Sequence, residues 1–346
     1  MKKRKSYFKN FIFFAALIVL TFYIMFKDQD LLDIFNILKT VKLRYVFTGI
    51  GCMFVYLALE AVNLGRTLKK LNEKSNFFQN VKYAFIGFFF SSITPAASGG
   101  QPMQVYYMYK DNISVANSTL ALLINLASMQ VITIGFALVS VIFNYQYLNP
   151  VLIVCFIIGI ALNASALTLL VIGICSRRLS KGLINVVLKV LKFFRLKNID
   201  TKRELFEKEL DKYQHSAVYI RNNRKLIFVT FLTTLLQFTI YYSITYWVYR
   251  ALGFSGYTIM QIVTMQSVLF ATVSGIPSPG AVGVSEGAFL EIFRNVYPKN
   301  MISSAVLLNR GINFYLYVFI CAIVTIVNHF KKRKVIDDIE EEVSAV

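Results

Sequence analysis

Thr94-Pro95-Ala96-Ala97-Ser98-Gly99 and Ser278-Pro279-Gly280-Ala281-Val282-Gly283 share the pattern [Ser/Thr]-Pro-x-Ala-x-Gly, and each cuts an otherwise apolar stretch in a corresponding place of the two halves of the chain. Proline removes a backbone donor and pushes the residue before it out of the helical region, so a helix entering either string should stop there. Lipid offers unwound backbone no hydrogen-bond partner. A break at membrane depth is therefore tolerated only where protein or a water-filled cavity surrounds it. Paired breaks in two halves point to a binding site near mid-membrane.

The surrounding sequence supports membrane depth. The 346 residues are 56% hydrophobic with a mean hydropathy of +0.57, and apolar runs succeed one another from Phe11 to Phe330, more than one soluble core can hide. The chain is read as an all-α, polytopic membrane protein. Its 37 Lys+Arg against 18 Asp+Glu give a formal charge of +19. In a soluble domain that balance would suggest nucleic acid, but here the charge clusters between apolar runs. It is read as positive-inside topology and contact with anionic inner-leaflet lipids, with no nucleic-acid partner expected. Cys52, Cys155, Cys175 and Cys321 lack C-x-x-C spacing, and His215 and His329 have no second ligand nearby in sequence, so neither a metal nor another cofactor is expected. Met1-Lys2-Lys3-Arg4-Lys5 precedes an apolar run without a small-x-small cleavage site, which favours a retained first span over a signal peptide.

Windows of about 20 apolar residues, enough to cross about 30 Å of hydrocarbon, predict six full spans near 8–26, 45–64, 115–143, 150–175, 226–249 and 302–330. The stretches 81–109 and 258–297 are each cut by one of the breaks and suit re-entrant helical hairpins; eight full spans are the alternative. Basic clusters at Lys2–Lys5, Arg66–Lys82, 176–225 and Lys331–Lys334 put both termini in the cytoplasm under either arrangement. Under the hairpin arrangement the two insert from opposite faces, as in pseudo-inverted halves. The expected organisation is one transmembrane domain over 1–330, with halves near 1–175 and 226–330 joined by the basic loop 176–225, and a tail over 331–346. The loop carries 14 Lys/Arg and 5 Asp/Glu. Leu183, Val186, Val187, Val190 and Leu191 in it predict an amphipathic surface helix, followed by a polar helix around Lys202 to Tyr219. The acidic tail from Asp337 to Glu342 reads as disordered.

Thr94, Ser98, Gln101, Ser278 and Ser285 offer side-chain hydrogen bonds at the breaks, Pro95 and Pro279 open them, and Gly99, Gly100 and Gly283 leave room for a ligand beside the backbone. Half-helices starting near Pro102 and Val284 would turn free N–H groups toward an anion. Glu60, Asn63, Glu286, Asn309, Arg310 and Asn313 are polar groups at or near membrane depth, where a charge needs a partner or a wet cavity, and Glu286 with Arg310 is the natural pair. Arg66 and Arg250 are read as snorkelling at span ends. Tyr106, Tyr107, Tyr109, Tyr241, Tyr242, Tyr246, Trp247 and Tyr249 are read as interfacial belts. No nucleophile elbow, Walker sequence or histidine triad is present.

Ile93-Thr94-Pro95-Ala96-Ala97-Ser98-Gly99-Gly100-Gln101-Pro102, the later Pro279-Gly280-Ala281-Val282-Gly283-Val284-Ser285-Glu286-Gly287, and Arg310 in the last span resemble the lysylphosphatidylglycerol synthase/flippase membrane region, the flippase portion of the multiple peptide resistance factor family. The likeness covers nearly the whole chain. It implies a bacterial plasma-membrane protein that moves an aminoacylated phospholipid, or a related phospholipid or glycolipid, between leaflets, linked to resistance to cationic antimicrobial peptides. Full-length members add a soluble domain that transfers lysine from lysyl-tRNA to phosphatidylglycerol; only the short segment 331–346 follows the last span here, so the membrane region alone is expected. On this resemblance Glu286 and Glu60 would face a cationic amino group, and Arg310 with the half-helix N-termini would face the phosphate. The alternatives are a phosphatidylglycerol lysyltransferase, a non-lipid transporter, or an accessory subunit that serves a separate envelope-lipid enzyme.

Overall fold

The computed structural model describes residues 36, 39–144, 150–175, 199–274, 276 and 278–330, and every regular element among them is helical. The expected first span at 8–26, the amphipathic segment through Leu183–Leu191 and the tail 331–346 lie outside the described residues. Five helices are long and apolar enough to cross a membrane: α1 (Leu43–Lys70), α4 (Val115–Asn144), α5 (Pro150–Cys175), α7 (Arg224–Ala251) and the last span over Ile302–Phe330. Apolar side chains such as Val154, Ile157 and Leu169 of α5 and Ile142 and Phe143 of α4 are exposed on its outside. Water would penalise such a surface, whereas acyl chains do not.

α1 and α7 form an antiparallel frame. Lys42 N donates to Ala251 O (2.9 Å), so the start of α1 lies beside the end of α7. Further along, Asn63 Nδ2 donates to Thr234 Oγ1 (3.0 Å), and Arg66 Nη1 donates to Asn63 Oδ1 (2.9 Å) and Thr233 Oγ1 (3.1 Å). Arg66 thus stitches two helices together instead of snorkelling. The helix expected near Lys202–Tyr219 is α6 (Ile199–Asn222), which docks on the ends of α1, α4 and α5. There Lys212 pairs with Glu73 (3.8 Å), Ser216 donates to Asn117 (2.8 Å) and Tyr213 donates to Gly173 O (3.0 Å).

The two interrupted stretches are hairpins. The first comprises α2 (Phe77–Ile93), a 3-10 turn at Pro95–Ala97 and α3 (Gly100–Lys110); the second comprises α8 (Ile259–Val273), a 3-10 turn at Pro279–Ala281 and α9 (Val284–Ile292). At 1.5 Å per residue these arms span about 14–26 Å, short of the hydrocarbon thickness. Both hairpins begin with the same device. Asn76 and Gln79 form a capping box at the start of α2, and Thr258 and Gln261 form one at the start of α8. An ion pair between Lys82 and Asp111, with Tyr83 Oη donating to Asp111 (2.5 Å), closes the base of the first hairpin. Tyr257 Oη donating to Asn295 O (3.2 Å) closes the base of the second. The first base adjoins the Lys70 end of α1, and the second adjoins the Ala251 end of α7 through Tyr249, Tyr257 and Tyr297. The hairpins therefore enter from opposite ends of the frame, and their 3-10 tips touch.

Glycine sets the closest approaches. A Cβ at Gly159 of α5 would collide with the Ala271 carbonyl oxygen of α8, and one at Gly87 of α2 would collide with Gln104 of α3. Substituting Gly159 with Val should lower stability by about 1–3 kcal/mol, the usual effect of overpacking. Gly135 is exposed with nothing within 4 Å of a built Cβ, and Gly135→Val should stay within about 0.5 kcal/mol of the parent. Unfolding in detergent measures both; equal shifts would mean that the α5–α8 approach is not set by this glycine.

Candidate functional site

Thr94 (φ −112°, ψ 144°) and Ser278 (φ −110°, ψ 143°) are extended, as residues before proline prefer; Thr94 ends α2, and each residue leads into its 3-10 turn. Two left-handed residues follow in each tip, Ala96 and Ala97 (φ 51° and 54°) and Gly280 and Ala281 (φ 59° and 52°). The hydrogen bonds repeat as well. Ala97 N and Ser98 N reach Thr94 O and Pro95 O (both 3.2 Å), while Ala281 N and Val282 N reach Ser278 O (3.1 Å) and Pro279 O (3.2 Å). One backbone design is thus written twice. It holds alanine in the left-handed region at three positions, a strain of about 1–3 kcal/mol each.

The copies diverge at the next residue. Ser98 is helical and leads directly into α3, whereas Val282 is extended and Gly283 takes φ 82° before α9. That detour lets Glu286 bend back to cap its own helix, accepting from Gly283 N at 2.7 Å. Glu286 also accepts from Arg310 Nε (2.8 Å) and Tyr315 Oη (3.3 Å) through its other oxygen. Arg310 Nη2 donates to Gly280 O at 2.8 Å, tying the second tip to the last span. This span runs as α10 (Ile302–Arg310), a π-helical segment (Gly311–Tyr315) and α11 (Leu316–Phe330). The π-segment widens the helix immediately after Arg310, a common local modification at functional sites. The guanidinium lies 4.2 Å from the Phe314 ring centroid, and Phe314 in turn fills the space that a side chain at Gly280 would need.

Two adjoining cavities surround the tips. The first, about 240 Å³, is lined by Ser91, Gln266, Ser278, Ser285, Asn309, Arg310 and Asn313, among others. The second, about 340 Å³, is lined by Glu60, Ser98, Gln101, Gln104, Asn125 and Asn163, among others. Tyr56, Phe88, Ser91, Ala96, Ala97, Phe270 and Ser274 wall both. Three buried polar atoms on these walls have no hydrogen-bond partner: Ser278 Oγ, Asn313 Oδ1 and Asn125 Oδ1. Such orphans are uncommon in a native interior and mark places for water or a ligand.

The charges are unevenly placed. Arg310 and Glu286 cancel one another. Glu60 accepts from Gln104 Nε2 (3.2 Å) and faces no cation among the described residues. A lone charge at the bilayer centre is unfavourable by about 2.5–3.5 kcal/mol on insertion scales, and a neutral hydrogen bond recovers only about 1 kcal/mol.

Of the residues expected from sequence, Glu60, Ser98, Gln101, Ser278, Ser285 and Arg310 line a cavity. Thr94, Pro95, Gly99, Gly100, Pro279, Gly283 and Glu286 support the tips from outside the cavity walls. Gly99 and Gly100 give room to Thr94 and Ser91 rather than to a ligand. The N-terminus of α9 is filled by Glu286, so it is not an open anion site, and Glu286 faces Arg310 rather than an empty space for an amine. Tyr241, Tyr242 and Tyr249 were expected in a belt. Instead, Tyr241 lines the first cavity, and Tyr242 and Tyr249 are fully enclosed. Gln104, Asn125, Asn163 and Gln266 were not anticipated, because an amide in a largely apolar helix does not show which way it points.

The geometry predicts coupling within the pair. A double-mutant cycle with Glu286→Gln and Arg310→Met, read by unfolding in detergent, should give a coupling of about 1–3 kcal/mol. Additive effects would show that the contact contributes nothing specific.

A family described as "Lysylphosphatidylglycerol synthase TM region" matches residues 11–321. A "UPF0104 membrane protein" of Archaeoglobus fulgidus is 22% identical over 317 residues, covering 87% of this chain and 91% of that protein. The chain belongs to the lysylphosphatidylglycerol synthase transmembrane-region family.

Proposed function

We propose that this chain is a flippase-like protein that carries the head group of lysylphosphatidylglycerol, or of a related phospholipid or glycolipid, between leaflets of a bacterial plasma membrane. The acyl chains stay in the bilayer while the head group passes the two tips. On this reading residues 1–330 act as one transmembrane domain, both termini face the cytoplasm, and the first hairpin enters from the cytoplasmic side. Moving a cationic lipid outward would lower the surface negative charge and so reduce attraction of cationic antimicrobial peptides.

The observation that carries the reading is a polar space between two touching re-entrant tips, with a guanidinium on one lobe and a carboxylate on the other. Arg310 spends Nε on Glu286 and Nη2 on Gly280 O, and it lines the first cavity. A guanidinium in that wall suits a phosphate oxygen. Glu60 suits an ammonium group. A head group with both charges, tethered to apolar chains, matches this pairing better than a small uncharged solute does.

Proteoliposomes containing lysylphosphatidylglycerol and a membrane-impermeant amine reagent test the reading. Protein-containing vesicles should expose inner-leaflet lipid that empty vesicles protect. Ser278→Ala and Asn313→Leu, which alter cavity walls without touching the ion pair, should each slow exposure by roughly 5-fold, the equivalent of one hydrogen bond. Protection equal to that of empty vesicles, with well-folded protein, would exclude this lipid as an autonomous substrate.

A further inference from the structure

The Glu60 cavity raises a question that binding of a head group does not answer: what sits beside the carboxylate when no head group is there. Its Oε1 accepts from Gln104 Nε2, an amide held in place by a second bond to Tyr83 O (3.1 Å). Asn125, 4% exposed, presents an unpaired acceptor to the same space. The cavity thus sets an unpaired amide oxygen in the same space as the carboxylate. A metal cation would gather several oxygen ligands, yet the neighbour fixed on Glu60 is an N–H donor pointing at its oxygen. A proton on Oε2 meets both conditions, since it leaves Oε1 to accept from Gln104 and creates an O–H donor in the space that the unpaired Asn125 oxygen lines.

Among the described residues, the neighbours of Glu60 supply no competing charge. Tyr56 on α1 and Cys321 on α11 are the titratable groups within electrostatic reach, and a phenol and a thiol are ordinarily neutral near pH 7. α2, α3, α4, α5 and α7 present Ser91, Gln101 and Gln104, Asn125 and Gln130, Asn163, and Phe238, respectively.

We propose that Glu60 is a proton-binding site, loaded when the cavity is empty and discharged when a cation enters, so that proton movement is exchanged against that of a cationic head group. The step is an acid–base exchange. An O–H bond forms on Glu60 with a proton from cavity water, and it breaks to return the proton to water as the ammonium group takes its place; no electrons are transferred. The proton site stands on the cavity alone, and only the identity of the exchanged cation rests on the lipid-transport reading.

Infrared difference spectra of reconstituted wild-type protein against Glu60→Gln read the proton directly. At mildly acidic pH the wild type should show the carbonyl stretch of a protonated carboxylic acid, lost in Glu60→Gln, displaced in Glu60→Asp and converted to carboxylate bands on alkalinisation. A difference spectrum holding only carboxylate bands at that pH overturns the site. In proteoliposomes, a transmembrane pH difference should shift the leaflet ratio of lysylphosphatidylglycerol by up to about tenfold per pH unit for one-for-one exchange, a response absent in Glu60→Gln. Lipid movement indifferent to the gradient overturns the exchange. The protonated-acid band in a protein that moves no lipid supports the proton site and refutes the transport reading instead.

Discussion

Backbone that leaves a helix inside a bilayer must find its hydrogen bonds in protein, and this constraint organises the whole molecule. Neither tip can satisfy it alone, because each ends in a 3-10 turn with left-handed residues and a helix that starts afresh. Bringing the tips together, between the α1–α7 frame and the last span, encloses both. The arms reach the middle without crossing it. The α5–α8 and α2–α3 approaches rest on Gly159 and Gly100, where a side chain would meet the Ala271 and Gly87 carbonyl oxygens. Small residues are what allow close helix packing where lipid gives apolar side chains no reason to associate.

The repeated scaffold carries an unrepeated set of charges. The tips match in backbone from Thr94 to Ala97 and from Ser278 to Ala281, then part at Ser98 and Val282. One extended residue and one glycine at φ 82° leave the N-terminus of α9 open for Glu286 to cap, and that carboxylate in turn fixes Arg310. In the first hairpin Pro102 stands two residues into α3, and the acidic group is supplied from α1 as Glu60. A symmetric framework therefore holds an asymmetric site, and asymmetry is what allows a site to distinguish the two ends of a head group.

Much of this was legible in the sequence, and the exceptions have a physical pattern. The spans and breaks were visible because hydropathy and proline act locally. The Glu286–Arg310 pair was visible because two intramembrane charges need each other. The capping boxes at Asn76/Gln79 and Thr258/Gln261 were equally local and could have set the hairpin starts, since a side-chain acceptor three residues before glutamine is a readable signal. Other features depended on which face each helix turns inward. Tyr241 and Tyr242 look like belt residues in one dimension, yet α7 is the inner helix of the frame and buries them. Gln104 and Asn125 share their helices with other amides and gain meaning only once α3 and α4 are laid beside Glu60. Gly99 and Gly100 look like ligand clearance in sequence, but arm-to-arm packing uses the space.

The distribution of strain bears on how such a site can work. Among the described residues, three of the five non-glycine residues with positive φ lie in the tips, and the π-segment lies where the last span meets the second tip. These local costs sit where the helices break and where the cavity walls meet. Elsewhere, regular helices and aromatic packing such as Tyr45 of α1 stacked on Trp247 of α7 stiffen the frame. A stiff frame around strained, polar tips concentrates any rearrangement at the point where the cavities meet. On the proposed lipid-transport reading, that is the part of the path that must yield: the head group would pass between two small polar spaces, while the surrounding helices keep acyl chains out.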